Sequence, residues 1–216
     1  MVRNIIFFLA LMLCASQALA GQADPADTFK VAKLDENLFR QERPKVSLKV
    51  DEEYEFYDIS GASAGEWRQQ MRTGGTKWDD GKKYAALTSW DIRYRYETTS
   101  KNGRYSIKSV TTNVGIVYRF PRWLATPSTS KEQLAEMWHT YMDHLKTHEF
   151  GHKDLAVKTA AEINETLASL NSFSSSRELD KEARRLADAK LKRLKEAQVE
   201  YDAETHHGET QGAVLP

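Results

Sequence analysis

From Trp90 onward apolar and polar residues alternate, with Trp90, Ile92, Tyr94 and Tyr96 on one side and Asp91, Arg93, Arg95 and Glu97 on the other. A period of two marks a β-strand with one buried face. Asn102-Gly103 then predicts a tight reversal. Tyr105 to Phe120 returns as a long strand, with Val114, Ile116, Tyr118 and Phe120 in step and Gly115 able to allow a bend. Upstream, Tyr54 to Ile59 reads as a strand, and Ser63 with Glu66 three residues on opens a short helix carrying Trp67 and Met71. Beyond Lys131 the period changes. Leu134, Trp138, Tyr141 and Leu145, and then Leu155, Thr159, Ile163 and Leu167, recur at three- and four-residue steps with His148 and His152 on the stripe between, which predicts one helix from Lys131 to Leu170 with a capping-box start at Ser130 and Gln133. The polar run Asn171 to Ser176 is a turn, and Ser175 with Glu178 caps a second helix reaching about Ala203. Helices joined by so short a turn pack antiparallel. Strands first and helices second predict an α+β domain, a small antiparallel sheet packed on a long helix that is followed by a second, antiparallel helix.

The long helix carries His148-Glu149-Phe150-Gly151-His152, with both histidines on its apolar stripe. Residues four apart share a helical face, so both imidazoles reach one metal while Glu149 points toward a water bound to it. This is the arrangement of a zincin-like hydrolytic site, with Zn2+ as the metal. The plain alternative is a pair of hydrogen-bonded core histidines. A catalytic zinc takes three protein ligands and keeps a fourth position open. Glu162 and Glu165 are excluded, because Glu162 lies ten residues past His152, about 15 Å along the axis. Counting across the turn brings His152 level with Leu194 to Glu200 on the second helix. His207 or His206, just beyond that level, is then the natural third ligand, with Glu196 and Glu200 as carboxylate alternatives. Tyr201, Tyr141 and His206 are candidates to stabilise an oxyanion, and Asp154 and Asp202 to orient the ligand imidazoles. All of these also have an ordinary packing role.

The motif at 148–152, followed by Tyr-Asp-x-x-Thr-x-His-Gly at 201–208, resembles a family of secreted bacterial proteins, domain of unknown function 922, described as predicted zinc-dependent proteases. The similarity extends to Tyr54 to Gly61, Thr88 to Tyr96 and Pro121-Arg122-Trp123, most of the chain beyond its leader. The resemblance implies His148 and His152 as ligands, Glu149 as general base and His207, rather than His206, as the histidine of the downstream motif. Members of the family often carry cysteines in the strand region, where this chain has none.

Arg3, the apolar run Ile5 to Leu13 and Ala18-Leu19-Ala20 before Gly21 read as a cleavable export signal over residues 1–20. A polar lead-in, 21–45, precedes a metallopeptidase domain at 46–216. The single cysteine, Cys14, falls in the signal, so the mature chain forms no internal disulfide. No later segment is apolar enough to anchor the chain in a membrane. Thirty-one basic residues balance thirty-one acidic ones, and no basic stripe with interleaved aromatics occurs, which argues against nucleic acid as a partner. The glycines between Arg72 and Lys82 lack the ending of a phosphate-binding loop and read as turns. The expected function is a secreted or periplasmic zinc metallopeptidase acting on peptides or proteins. The alternative is a secreted, zinc-stabilised binding protein without catalysis. The sequence leaves the oligomeric state open.

Overall fold

The structure, a computed structural model, describes residues 43–77, 81–125 and 132–216. The export signal, most of the lead-in and the Ser130 start of the long helix lie outside them. Strand β1 (Lys45–Ile59) is followed by helix α1 (Ala64–Gly74), two short strands β2 (Thr76–Lys77) and β3 (Lys83–Tyr84), and the long strands β4 (Leu87–Lys101) and β5 (Arg104–Trp123). Helices α2 (Glu132–Ala168) and α3 (Ser176–Thr205) come next, and the short 3-10 turn Glu209–Gln211 follows. The architecture is α+β, with one small principal sheet and three helices.

The helix starts follow from local chemistry. Ser63 and Ser175 each accept a hydrogen bond from the backbone N–H three residues on, at Glu66 and Glu178, which satisfies a donor the helix leaves unpaired. Asn102 and Gly103 both have positive φ, 53° and 72°, the conformation a two-residue hairpin between twisted strands requires.

The sheet differs from the expected one. Its order is β1-β5-β4, and β5 runs antiparallel to β4 but parallel to β1. The sheet is therefore mixed, not antiparallel throughout. A two-residue turn forces β4 and β5 antiparallel, whereas the segment holding α1, β2, β3 and β4 is long enough to return β5 beside β1 in the same direction. It also follows that the strand from Tyr105 to Phe120 is central and offers no free edge to a peptide.

Helix α2 lies on one face of this sheet. Val114, Ile116, Tyr118 and Phe120, the alternate residues of β5, are fully buried on that face, and Trp67 packs edge to face against both Trp123 and Trp138 beside them. Buried Asn164 locks helix to sheet: it accepts from Thr112 Oγ1 at 2.8 Å and donates to the Ser47 carbonyl at 3.0 Å. Ala156 and Ala160 of α2 and Ala183 and Ala187 of α3 are fully buried in the core that these helices share with the sheet. The turn between them is pinned by paired backbone hydrogen bonds between Tyr105 and Phe173. Among the described residues no helix is long and apolar enough to cross a membrane.

Candidate metal centre

The buried stripes of α2 and α3 are apolar along most of their length and turn polar at the same level. On α2 the change comes at His148, Glu149 and His152, all buried. On α3 it comes at Gln198 and continues through Tyr201, Asp202 and Thr205, positions one helical turn apart on one face. The antiparallel hairpin therefore sets these two polar patches against each other.

His148, His152 and Asp202 form a group able to hold a metal ion. The two Nε2 atoms are 3.3 Å apart, and Asp202 Oδ1 lies 3.3 Å from His148 Nε2 and 3.0 Å from His152 Nε2. A tetrahedral zinc with bonds of about 2.0–2.1 Å has ligand-to-ligand edges of about 3.3–3.4 Å, so three corners of that figure are in place.

The remaining ring nitrogens fix the tautomers. His148 Nδ1 faces Gln211 Oε1 at 3.0 Å, and His152 Nδ1 faces Gln198 Oε1. Each amide is itself oriented. Gln198 Nε2 donates to the His152 carbonyl at 3.0 Å, and Gln211 Nε2 donates to Tyr201 Oη at 3.0 Å. Both imidazoles therefore donate through Nδ1 and direct Nε2 lone pairs at each other and at a carboxylate, an arrangement that repels itself unless a cation or proton lies among the three atoms. Without a metal a proton serves. Burial disfavours charge on His152, but the Asp202 carboxylate and the Gln198 contact outweigh it and raise its pKa. Burial likewise works against the Asp202 charge, and the two imidazoles overcome it, holding that carboxyl well below the usual range.

Glu149 sits beside this cluster on the floor of a cleft of about 870 Å³, one wall of which is the run from Lys83 to Trp90. Thr88 Oγ1 on β4 donates to Glu149 Oε2 at 2.7 Å. Burial pushes the Glu149 carboxyl above the ordinary range, against the Thr88 hydrogen bond and the neighbouring histidines. A carboxylate so placed is poised to take up a proton.

Tyr201 stacks flat on the His148 ring, with centroids 5.1 Å apart and planes 8° from parallel, and its Oη donates to the His148 carbonyl at 3.2 Å. This seat explains Gly151, where a Cβ would stand 2.1 Å from Tyr201 Oη. Beyond α3 the chain turns through three successive positive φ angles, at His206, His207 and Gly208. Gly208 passes so close to α2 that a Cβ there would stand 3.1 Å from His148 Cβ.

Of the residues singled out by sequence, His148, Glu149, His152 and Asp202 come together. Asp202 stands in the cluster itself rather than behind an imidazole. His207 is half exposed on the cleft rim, its Nδ1 3.5 Å from Asp202 Oδ1 and its ring 5.1 Å from that of Tyr84, so it borders the cluster without joining it. His206 caps α3 and is exposed at the cleft. Tyr201 spends its hydroxyl on the His148 carbonyl and Gln211, and Tyr141 lines the cleft. Asp154 points to solvent and pairs with Lys153, while Glu196 and Glu200 are held outside by Arg193. Thr88, Gln198 and Gln211 join the site without belonging to any sequence motif of catalysis or metal binding. Thr88 keeps step with Trp90 and Ile92 on the inward side of its strand, and Gln198 lies one turn before Asp202, so two of the three carried a positional signal.

A family model described as a bacterial protein of unknown function (DUF922) matches residues 54–208, a span that includes every residue of the cluster and Glu149. No curated protein and no solved structure matches the chain.

Proposed function

The chain belongs to this bacterial DUF922 family, and from that premise we propose that it is an exported zinc-dependent metallopeptidase with a zincin-like site. The observation that carries the proposal is the convergence of two tautomer-locked Nε2 atoms and a carboxylate oxygen at tetrahedral spacing, with a buried glutamate beside them in an open cleft. His148, His152 and Asp202 would hold the metal. Bound zinc would supply Lewis acidity toward water and toward a substrate carbonyl. Glu149, held by Thr88, would take the proton from the attacking water and pass it to the leaving amine as the C–N bond breaks. His207 on the rim would donate a hydrogen bond to substrate. A peptide is the favoured substrate because residues Leu87 to Trp90 of β4, an edge strand, form a wall of the cleft, and an extended chain adds readily to such an edge. Export rests on the leader at 1–20.

The deciding experiment compares the zinc-loaded protein with Glu149→Gln on a peptide library read by mass spectrometry. Hydrolysis should fall by about 10²-fold or more while zinc stoichiometry and melting temperature hold. Equal cleavage by the two proteins would end the peptidase reading. One observation favours a rival: from 3.5 Å off Asp202, the His207 ring has a short path inward to become a fourth donor, closing the site into a structural staple.

A further inference from the structure

Strand β1 has β5 as its neighbour on one side, and among the described residues its other edge faces no strand. Val46, Leu48, Tyr54 and Phe56 lie in register with Val110, Thr112, Tyr118 and Phe120 of β5, so they belong to the same inward face. The β5 residues are fully buried, yet Val46, Leu48, Tyr54 and Phe56 are 54%, 37%, 47% and 50% exposed. Between these two pairs the row holds Val50, which packs against the core, and Glu52, which accepts a hydrogen bond from Tyr118 Oη at 2.9 Å; the helix layer reaches β1 at the Ser47 carbonyl, through Asn164, and leaves the four apolar residues partly uncovered. A long edge strand that leaves apolar side chains partly uncovered at both ends is a surface that proteins otherwise blunt or cover.

The charges of the same strand are segregated. Lys45 and Lys49 stand in its first third, and Asp51, Glu52, Glu53, Glu55 and Asp58 follow. Side-by-side parallel pairing of two such strands in register would set Lys49 against Lys49 and Glu53 against Glu53. Antiparallel pairing reverses this. With a two-fold axis at Val50, Lys45 falls opposite Glu55, Lys49 opposite Asp51, Val46 opposite Tyr54, Leu48 opposite Glu52 and Val50 opposite itself, with no like charges directly across from Lys45 to Glu55. Opposite charges and apolar pairs across two strands are the contacts that stabilise a sheet.

We propose that the β1 edge is the interface of a two-fold homodimer, in which two copies pair β1 antiparallel about Val50 and join two three-stranded sheets into one of six strands. The occupant of the edge is a second copy of this chain, because β1 is complementary in charge to itself reversed. This inference is independent of the metal site and does not depend on the peptidase reading.

Sedimentation over a wide concentration range tests it, with circular dichroism to check that each protein is folded. Wild type should form a discrete dimer. The double variants Lys45→Glu/Lys49→Glu and Asp51→Lys/Glu55→Lys should each be monomeric, and an equimolar mixture of the two should dimerise again. Val50→Cys should cross-link into a dimer under oxidation, since residues facing each other across such a pair lie within disulfide reach, while Leu48→Cys should not. A wild-type monomer at every concentration, a dimer that neither charge variant disturbs, or equal cross-linking from positions 48 and 50 would overturn the proposal.

Discussion

At the scale of single residues, the candidate metal centre is a division of labour between atoms that would hold a cation and atoms that aim them. Asp202→Ala should abolish stoichiometric zinc, whereas His207→Ala should keep it, as measured by elemental analysis and chelator competition; loss of zinc in the second variant would support the closed site instead. Gln211→Leu removes the acceptor that sets the His148 tautomer, so zinc affinity should fall about 10- to 100-fold with the three metal-holding side chains intact. Gly151→Ala reverses an ordinary trend. Alanine in a helix interior normally stabilises by up to about 1 kcal/mol, but here its Cβ meets Tyr201 Oη, and a loss of about 1–3 kcal/mol in urea denaturation is expected. His148, Glu149 and His152 were legible from sequence because their relation is local, a four-residue spacing on one helix. Asp202 and the glutamines were harder to read. Their relation to the histidines runs through tertiary contact between helices, and an amide that orients a ring carries no spacing of its own.

The secondary elements obey the same distinction between local and distant information. Both serine caps, the Asn102-Gly103 turn and the limits of α2 and α3 were close to what short-range pattern predicts. The first nine residues of β1 were less visible. Val46, Leu48 and Val50 alternate as a strand should, but lysines and acids that disfavour strands lie between them and just beyond. The parallel direction of β1 was not legible at all, since the same alternation serves either direction. Packing between elements yields two predictions. Ala160→Leu forces a large side chain into the closed core around α2, and should cost about 1–3 kcal/mol, visible as a lower melting temperature. Tyr96 joins β4 to α3 by donating to Asp180 Oδ1 at 2.8 Å, and burial together with that bond raises its pKa from 10.0 to about 12. A raised phenol pKa means the fold favours the neutral form. This contribution is complete below pH 10 and is lost as pH climbs from 10 toward 12. Tyr96→Phe should therefore flatten the fall in urea midpoint over that window relative to wild type.

For the whole molecule, the cluster bridges the two longest helices, so a metal held there would couple its binding to folding. Zinc held at 1,000 times its dissociation constant should stabilise by about 4 kcal/mol, and the rise in melting temperature should vanish with Asp202→Ala. The placement of β1 has a further consequence, in the order of assembly. The hairpin of β4 and β5 closes over two residues and forms within microseconds, as such hairpins do. Strand β1 must find β5 across a gap of 64 residues, as between Ser47 and Thr111, and contacts that distant are slow to form. Until it arrives, both of its edges are open. Refolding is then a race between closing this long loop and capture by a neighbouring chain, and the yield of native protein should drop as refolding concentration rises even where the native state is fully stable.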